Sequence, residues 1–151
     1  MKLIPVKSDV ALRGVLPVML LLMDAAGIGH PGPADETPGP LRVVDVEAPR
    51  HGGAEGSPLE SACRNWRLSD RDVARFFELS ETYAQSPYSA FYQVPCSISG
   101  KIEAEGKAWD FVIDGGGTAT WSHGNETRYF GCSAKACEPL VLMPTDLMDP
   151  E

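Results

Sequence analysis

Cys96-Ser-Ile-Ser-Gly-Lys-Ile-Glu-Ala-Glu-Gly-Lys-Ala-Trp-Asp-Phe-Val-Ile-Asp114 decides the fold. In its first half, Cys96, Ile98, Gly100, Ile102 and Ala104 alternate with Ser97, Ser99, Lys101, Glu103 and Glu105. A period of two means a strand with one dry and one wet face. Glu105-Gly106-Lys107 turns the chain. Trp109, Phe111 and Ile113 then alternate with Ala108, Asp110, Val112 and Asp114, so the return strand also has one greasy face. The segment is a β-hairpin.

Downstream, Gly115-Gly-Gly117 breaks the second strand and Thr118–Trp121 resumes the extended pattern. His123-Gly124-Asn125-Glu126 is a second turn signal, Thr127–Cys132 a fourth strand and Leu140–Met143 a fifth. Upstream, Pro95 belongs at a strand start or on an edge. Before it, Ser69 is placed to cap a helix, with Asp70 and Asp72 in the first turn, where the helix dipole favours anions. Val73, Phe76, Phe77, Ser80, Tyr83 and Ala84 follow a three-to-four-residue rhythm, and Ser86-Pro87 ends it. The expectation is an α+β domain over residues 61–148: one N-terminal helix packed on a four- to five-stranded antiparallel meander.

The first sixty residues read differently. Lys2, Lys7 and Arg13 precede the apolar run Val15–Met23, and Asp24-Ala-Ala-Gly-Ile-Gly29 supplies small residues. That is the pattern of a signal peptide over residues 1–29, with a mature start between about Ile28 and Asp35. The run falls well short of the roughly 20 residues that span a bilayer, so no membrane span is expected in the mature chain. Residues 30–60 are rich in Pro and Gly, cannot bury enough apolar surface to offset chain entropy, and are read as a disordered linker. Within them only Leu41–Val46 has strand character. His30 and His51 lie in this linker as lone, solvated histidines.

Four cysteines, Cys63, Cys96, Cys132 and Cys137, all fall in the domain. Behind an export signal they are expected as disulfides. Three connectivities are open. Pairing sequence neighbours favours Cys63–Cys96 and Cys132–Cys137, worth about 4 and 2 kcal/mol in the chain-entropy model. For a core this small that is of the order of the total stability. A Cys₄ zinc site would want two close pairs; here one pair is close and its spacing is wide. The C-x-x-C spacing of redox-active pairs is missing. No cofactor and no metal is expected.

The net charge of −8 disfavours nucleic acid and anionic lipid and steers cationic partners inward. Phe111-Val-Ile-Asp-Gly-Gly-Gly-Thr118 resembles the first phosphate-binding motif of the sugar-kinase, Hsp70 and actin superfamily, where an Asp meets Mg²⁺ and a Gly-rich hairpin meets phosphate. That superfamily opens its fold with this hairpin and adds a second phosphate loop. Here the segment comes late and a cysteine pair follows it, so it is read as a kink between strands of a curled sheet. A hydrolase would draw on Asp114, His123 and Glu138. Glu103 and Glu105 share a strand face with Lys101, which is the pattern of a solvated face. G-x-S-x-G and H-E-x-x-H are absent, and no catalytic residues are assigned. Asn125-Glu126-Thr127 is a sequon that matters only in a eukaryotic secretory route.

The aromatic residues suggest binding instead. Tyr83, Tyr88, Phe91 and Tyr92 cluster around Pro87, and Trp121 and Tyr129 lie near the second turn. Tyr and Trp are common interface anchors. Tyr88, Tyr92, Trp121 and His123 form the candidate partner surface.

Trp109-Asp-Phe-Val-Ile, the Gly-rich turn, Ala119-Thr-Trp121, Tyr129-Phe-Gly-Cys132 and Cys137-Glu-Pro-Leu-Val-Leu-Met143 together resemble small exported proteins of the Gram-negative envelope that have no assigned activity. The resemblance spans residues 63–148 and implies a periplasmic location. The expected role is that of a periplasmic or secreted binding protein whose partner is another protein. An inhibitor or immunity-type antagonist of an envelope-directed toxin or hydrolase fits this class. The alternatives are a passive envelope accessory and a small hydrolase using Asp114 and His123.

Overall fold

A computed structural model describes residues 40–145; the expected signal peptide and most of the Pro-rich half of the linker lie outside them. The described chain is α+β. Its strands are β1 (Arg42–Val46), β2 (Arg50–His51), β3 (Glu81–Tyr83), β4 (Cys96–Ala104), β5 (Lys107–Asp114), β6 (Thr118–His123) and β7 (Glu126–Gly131). Its helices are α1 (Pro58–Asn65) and α2 (Asp70–Leu79). The sheet is antiparallel in the order β1-β4-β5-β6-β7-β3, and β2 pairs with the start of β4.

The β4–β5 hairpin forms in the register that the alternation demands, with Ile102 opposite Trp109 and Gly100 opposite Phe111. Glu105 and Gly106 both take positive φ (53° and 71°) to make the tight turn. Ile98, Ile102, Trp109, Phe111, Ile113, Ala119, Trp121 and Phe130 form the dry face. Helix α2 lies on it. Phe77 makes edge contacts with Phe111, Trp121 and Phe130 at ring distances of 5.9, 5.1 and 5.3 Å. Ser69 caps α2 in a reciprocal capping box: its hydroxyl accepts the Asp72 N–H at 3.2 Å, and its own N–H reaches the Asp72 carboxylate at 2.9 Å. The Ser69 hydroxyl also donates to the Asp72 carboxylate at 2.7 Å, and that bond, with the one from the Ser69 N–H, holds the Asp72 carboxyl below its ordinary range.

Several expectations are corrected. Among the described residues the sheet has seven strands and there are two α-helices, and β1 and β2 precede both. Residues 40–60, expected to belong to the linker, carry β1, β2 and the start of α1. Their apolar content is low, and they order because β1 pairs with β4 and because Cys63, the one buried side chain of α1, is bonded to Cys96. Helix α2 stops at Leu79. The Ser80 hydroxyl bonds back to the Phe76 carbonyl at 2.8 Å, and Glu81–Tyr83 instead pairs with β7, covering an edge that would otherwise be bare. Leu140–Met143 is not a fifth meander strand. A 3₁₀ turn over Lys135–Leu140 contains Pro139, which has no N–H for a ladder. The N–H groups of Leu142 and Met143 then both reach the Gly115 carbonyl, at 2.9 and 3.0 Å.

Both disulfides are formed, Cys63–Cys96 and Cys132–Cys137, with sequence separations of 33 and 5. No cysteine is free among the described residues.

Candidate functional site

Helix α2 covers one face of the sheet. The other face presents Ser99, Asp110, Val112, Asp114, Thr118, Thr120, Ser122 and Tyr129, and among the described residues no α-helix lies over it. Val112 is an apolar residue on this wet face, and 43% of it is exposed. The segment after β3 folds into a 3₁₀ turn at Tyr88–Ala90, which brings Pro87 and Tyr88 beside Val112, Asp114, Thr118 and Thr120. Between them lies an open cleft of about 130 Å³. Tyr88, 43% exposed, lines it; Tyr92 is 36% exposed but is not part of its lining.

Gly115–Gly117 links Asp114 to Thr118, two residues of the cleft lining. Their backbone is a junction. The Gly115 N–H donates to the Cys96 carbonyl (2.8 Å), the Gly116 N–H to Asp114 Oδ1 (2.8 Å) and the Gly117 N–H to the Asp114 carbonyl (3.0 Å). The Gly117 carbonyl accepts from Cys132 at 2.8 Å. Gly116 runs against the Tyr92 carbonyl so closely that any Cβ there would collide with it. The triple glycine therefore serves close backbone packing. All three amides are already bonded, which removes the donors that a phosphate loop would need.

Asp114 is the chemically distinctive group. It is half-buried, and burial pushes its pKa up to about 6, against the pull of backbone hydrogen bonds from Gly116 and Val94. It forms no ion pair among the described residues.

The candidate partner residues do not come together. Of the four, Tyr88 lines the cleft, and Tyr92 is exposed outside its lining. Trp121 does not reach a partner: it is 7% exposed and packs in the core against Phe77, Phe130 (4.6 Å) and Trp109 (5.8 Å). Its place opposite Phe111 puts it on the dry face. His123 is exposed at the far end of the sheet, bonded through Nδ1 to the Ala108 carbonyl (2.8 Å) and leaning on Trp109. Trp109 and Asp114 are five strand residues apart, about 17 Å, and they face opposite sides of the sheet. Asp114 and His123 therefore cannot act on one substrate atom, which corrects the hydrolase alternative built on that pair.

Around Trp109 the far end carries a paired charge network. The Arg128 guanidinium sits 4.6 Å over the indole and pairs with Glu105 (2.8 Å) and Glu126 (3.0 Å), and Lys107 also pairs with Glu126 (2.8 Å). Hydrogen bonds from Arg128 and from Lys107 hold the Glu105 and Glu126 carboxyls below their ordinary range.

Sequence reasoning missed Val112, Thr118 and Thr120 as site residues. Its available signal was Val112, the one large apolar side chain on the wet side of β5. Among the described residues no group of three or more His, Cys, Asp or Glu is placed to hold a metal ion, and no helix is long and apolar enough to cross a membrane. The chain matches no family model, no curated protein and no solved structure.

Proposed function

We propose that this is an exported binding protein that docks another protein on the sheet face opposite α2, around Tyr88 and Val112. The carrying observation is the asymmetry of the sheet. One face is sealed by α2, while the other exposes large apolar side chains beside a cleft. Exposed apolar residues scattered singly need no explanation, but Tyr88 and Val112 line the same cleft. Two buried disulfides fit an oxidising compartment, and the basic, apolar N-terminus supports export to the periplasm or beyond. Within that frame the reading is an antagonist of an envelope-directed toxin or hydrolase.

Val112→Arg tests it. The substitution changes an exposed side chain and leaves the core alone. Cross-linking in the native envelope should yield one stoichiometric protein complex with the wild-type chain and lose it with the variant. Equal capture by both would remove the proposed face. Bulk association with cell wall and no discrete complex would favour the passive accessory instead.

A further inference from the structure

The hollows of the described surface differ in how their charges are engaged. One, about 460 Å³, runs along α2 and is lined by Arg71, Asp72, Arg75 and Glu78; there Asp72 serves the helix cap and Arg75 pairs with Glu78 at 3.7 Å. A second, about 340 Å³, surrounds the Glu105–Gly106 turn. Its charged groups are also engaged: Glu103 pairs with Arg42, Glu105 with Arg128 and Lys107 with Glu126. A third is the Asp114 cleft. No cationic side chain lines it, and its carboxylate has no ionic partner among the described residues.

We infer that this cleft receives an arginine side chain of the docked protein, its guanidinium against Asp114 and flat on the exposed ring of Tyr88. The inference rests on the docking reading and names the group that the face would select. Guanidinium has five donors and no acceptor. The lining supplies matching acceptors: the Asp114 carboxylate and the hydroxyls of Thr118, Thr120 and Ser86. A planar, weakly hydrated cation that stacks on an aromatic ring suits the juxtaposition of Tyr88 and Asp114 better than a strongly hydrated ammonium does. A neutral sugar would stack equally well but would leave the desolvated carboxylate without a counter-charge. The excess of acidic residues over the whole chain steers a cationic partner toward this surface.

The test uses Nα-acetyl-arginine methylamide as the probe, titrated into the isotope-labelled full chain. Saturable shifts are expected at the amides of Tyr88, Gly116 and Thr120, together with a fall in the Asp114 carboxyl's titration midpoint. Asp114→Asn keeps the acceptor for the Gly116 N–H, and Tyr88→Ala alters an exposed turn, so both variants should fold. Each should weaken binding at least tenfold. Nα-acetyl-lysine methylamide should bind several-fold more weakly, and N-acetylglucosamine should not bind. Equal shifts with Asp114→Asn, an unmoved midpoint or saturation by N-acetylglucosamine would overturn the inference. Cross-linking separates its failure from that of the docking reading. A complex lost with Val112→Arg but kept undiminished with Asp114→Asn would remove the arginine and leave the face. A complex kept with both would remove the face.

Discussion

The two ends of the sheet handle charge in opposite ways. At the turn end, Glu105, Lys107, Glu126 and Arg128 are solvent-facing and paired, and together they roof the buried indole of Trp109. At the glycine end, Asp114 is partly desolvated and has no ionic partner among the described residues, while its own backbone carbonyl and Oδ1 pin Gly117 and Gly116. Surface pairs of the first kind contribute little individually and cost little to keep. A desolvated carboxylate of the second kind works against the charged state at neutral pH. Departures of that sort concentrate at functional sites, and so the glycine end, rather than the larger charge network, is the candidate site.

The comparison can be broken most forcefully at the disulfides, since Cys96 and Cys132 both border the glycine end. Replacing Cys63 and Cys96 by Ser should cost about 4 kcal/mol, and replacing Cys132 and Cys137 about 2 kcal/mol, read from urea unfolding. Loss of order in the second pair of variants should be confined to the glycine end. Gly116→Ala comes next. Its new methyl meets the Tyr92 carbonyl, and overpacking of this sort costs about 1–3 kcal/mol; thermal melting reports it.

Asp114→Asn should have the reverse sign at neutral pH. The folded-state pKa of Asp114 is raised from 3.8 to about 6, so its contribution favours folding while the carboxyl is protonated. That contribution is complete below about pH 3.8 and is lost as the pH rises through about 6. The variant should therefore be the more stable by about 1 kcal/mol at pH 7, after discounting for solvent screening. Its stability should also lack the wild-type decline across that window. Unchanged pH dependence would make the two ends electrostatically alike. The smallest effect belongs to Arg128→Ala. Removing the cation over Trp109 should cost about 0.5–1 kcal/mol, and less in high salt, whereas the contribution of Asp114 should be nearly insensitive to salt.

How much was legible depended on whether a signal was local. The alternation from Cys96 to Asp114, the Ser69 cap and the Gly106 and Gly124 turns are local patterns, and the structure keeps them. Strand β3 was hidden inside an apparent helix because Glu81–Tyr83 extends the apolar rhythm of α2, while its hydrogen bonds come from β7. Helix α1 was hidden because it buries a single side chain, Cys63. At the site, Asp114 and the three glycines were conspicuous in the sequence, but their meaning was not: phosphate loop and packing junction share one pattern, and only the partners of the amides distinguish them.

The sequence by itself determined the α+β class, the hairpin register and the disulfide-braced character of the domain, because each follows from side-chain periodicity or from residue chemistry. Tertiary structure alone decided that Arg42–Val46 and Arg50–His51 join the sheet, that Trp121 is core while Tyr88 is surface, and that Asp114 lies in a cleft lined by no cation. Burial and pairing depend on which distant segments meet, and no local pattern encodes that.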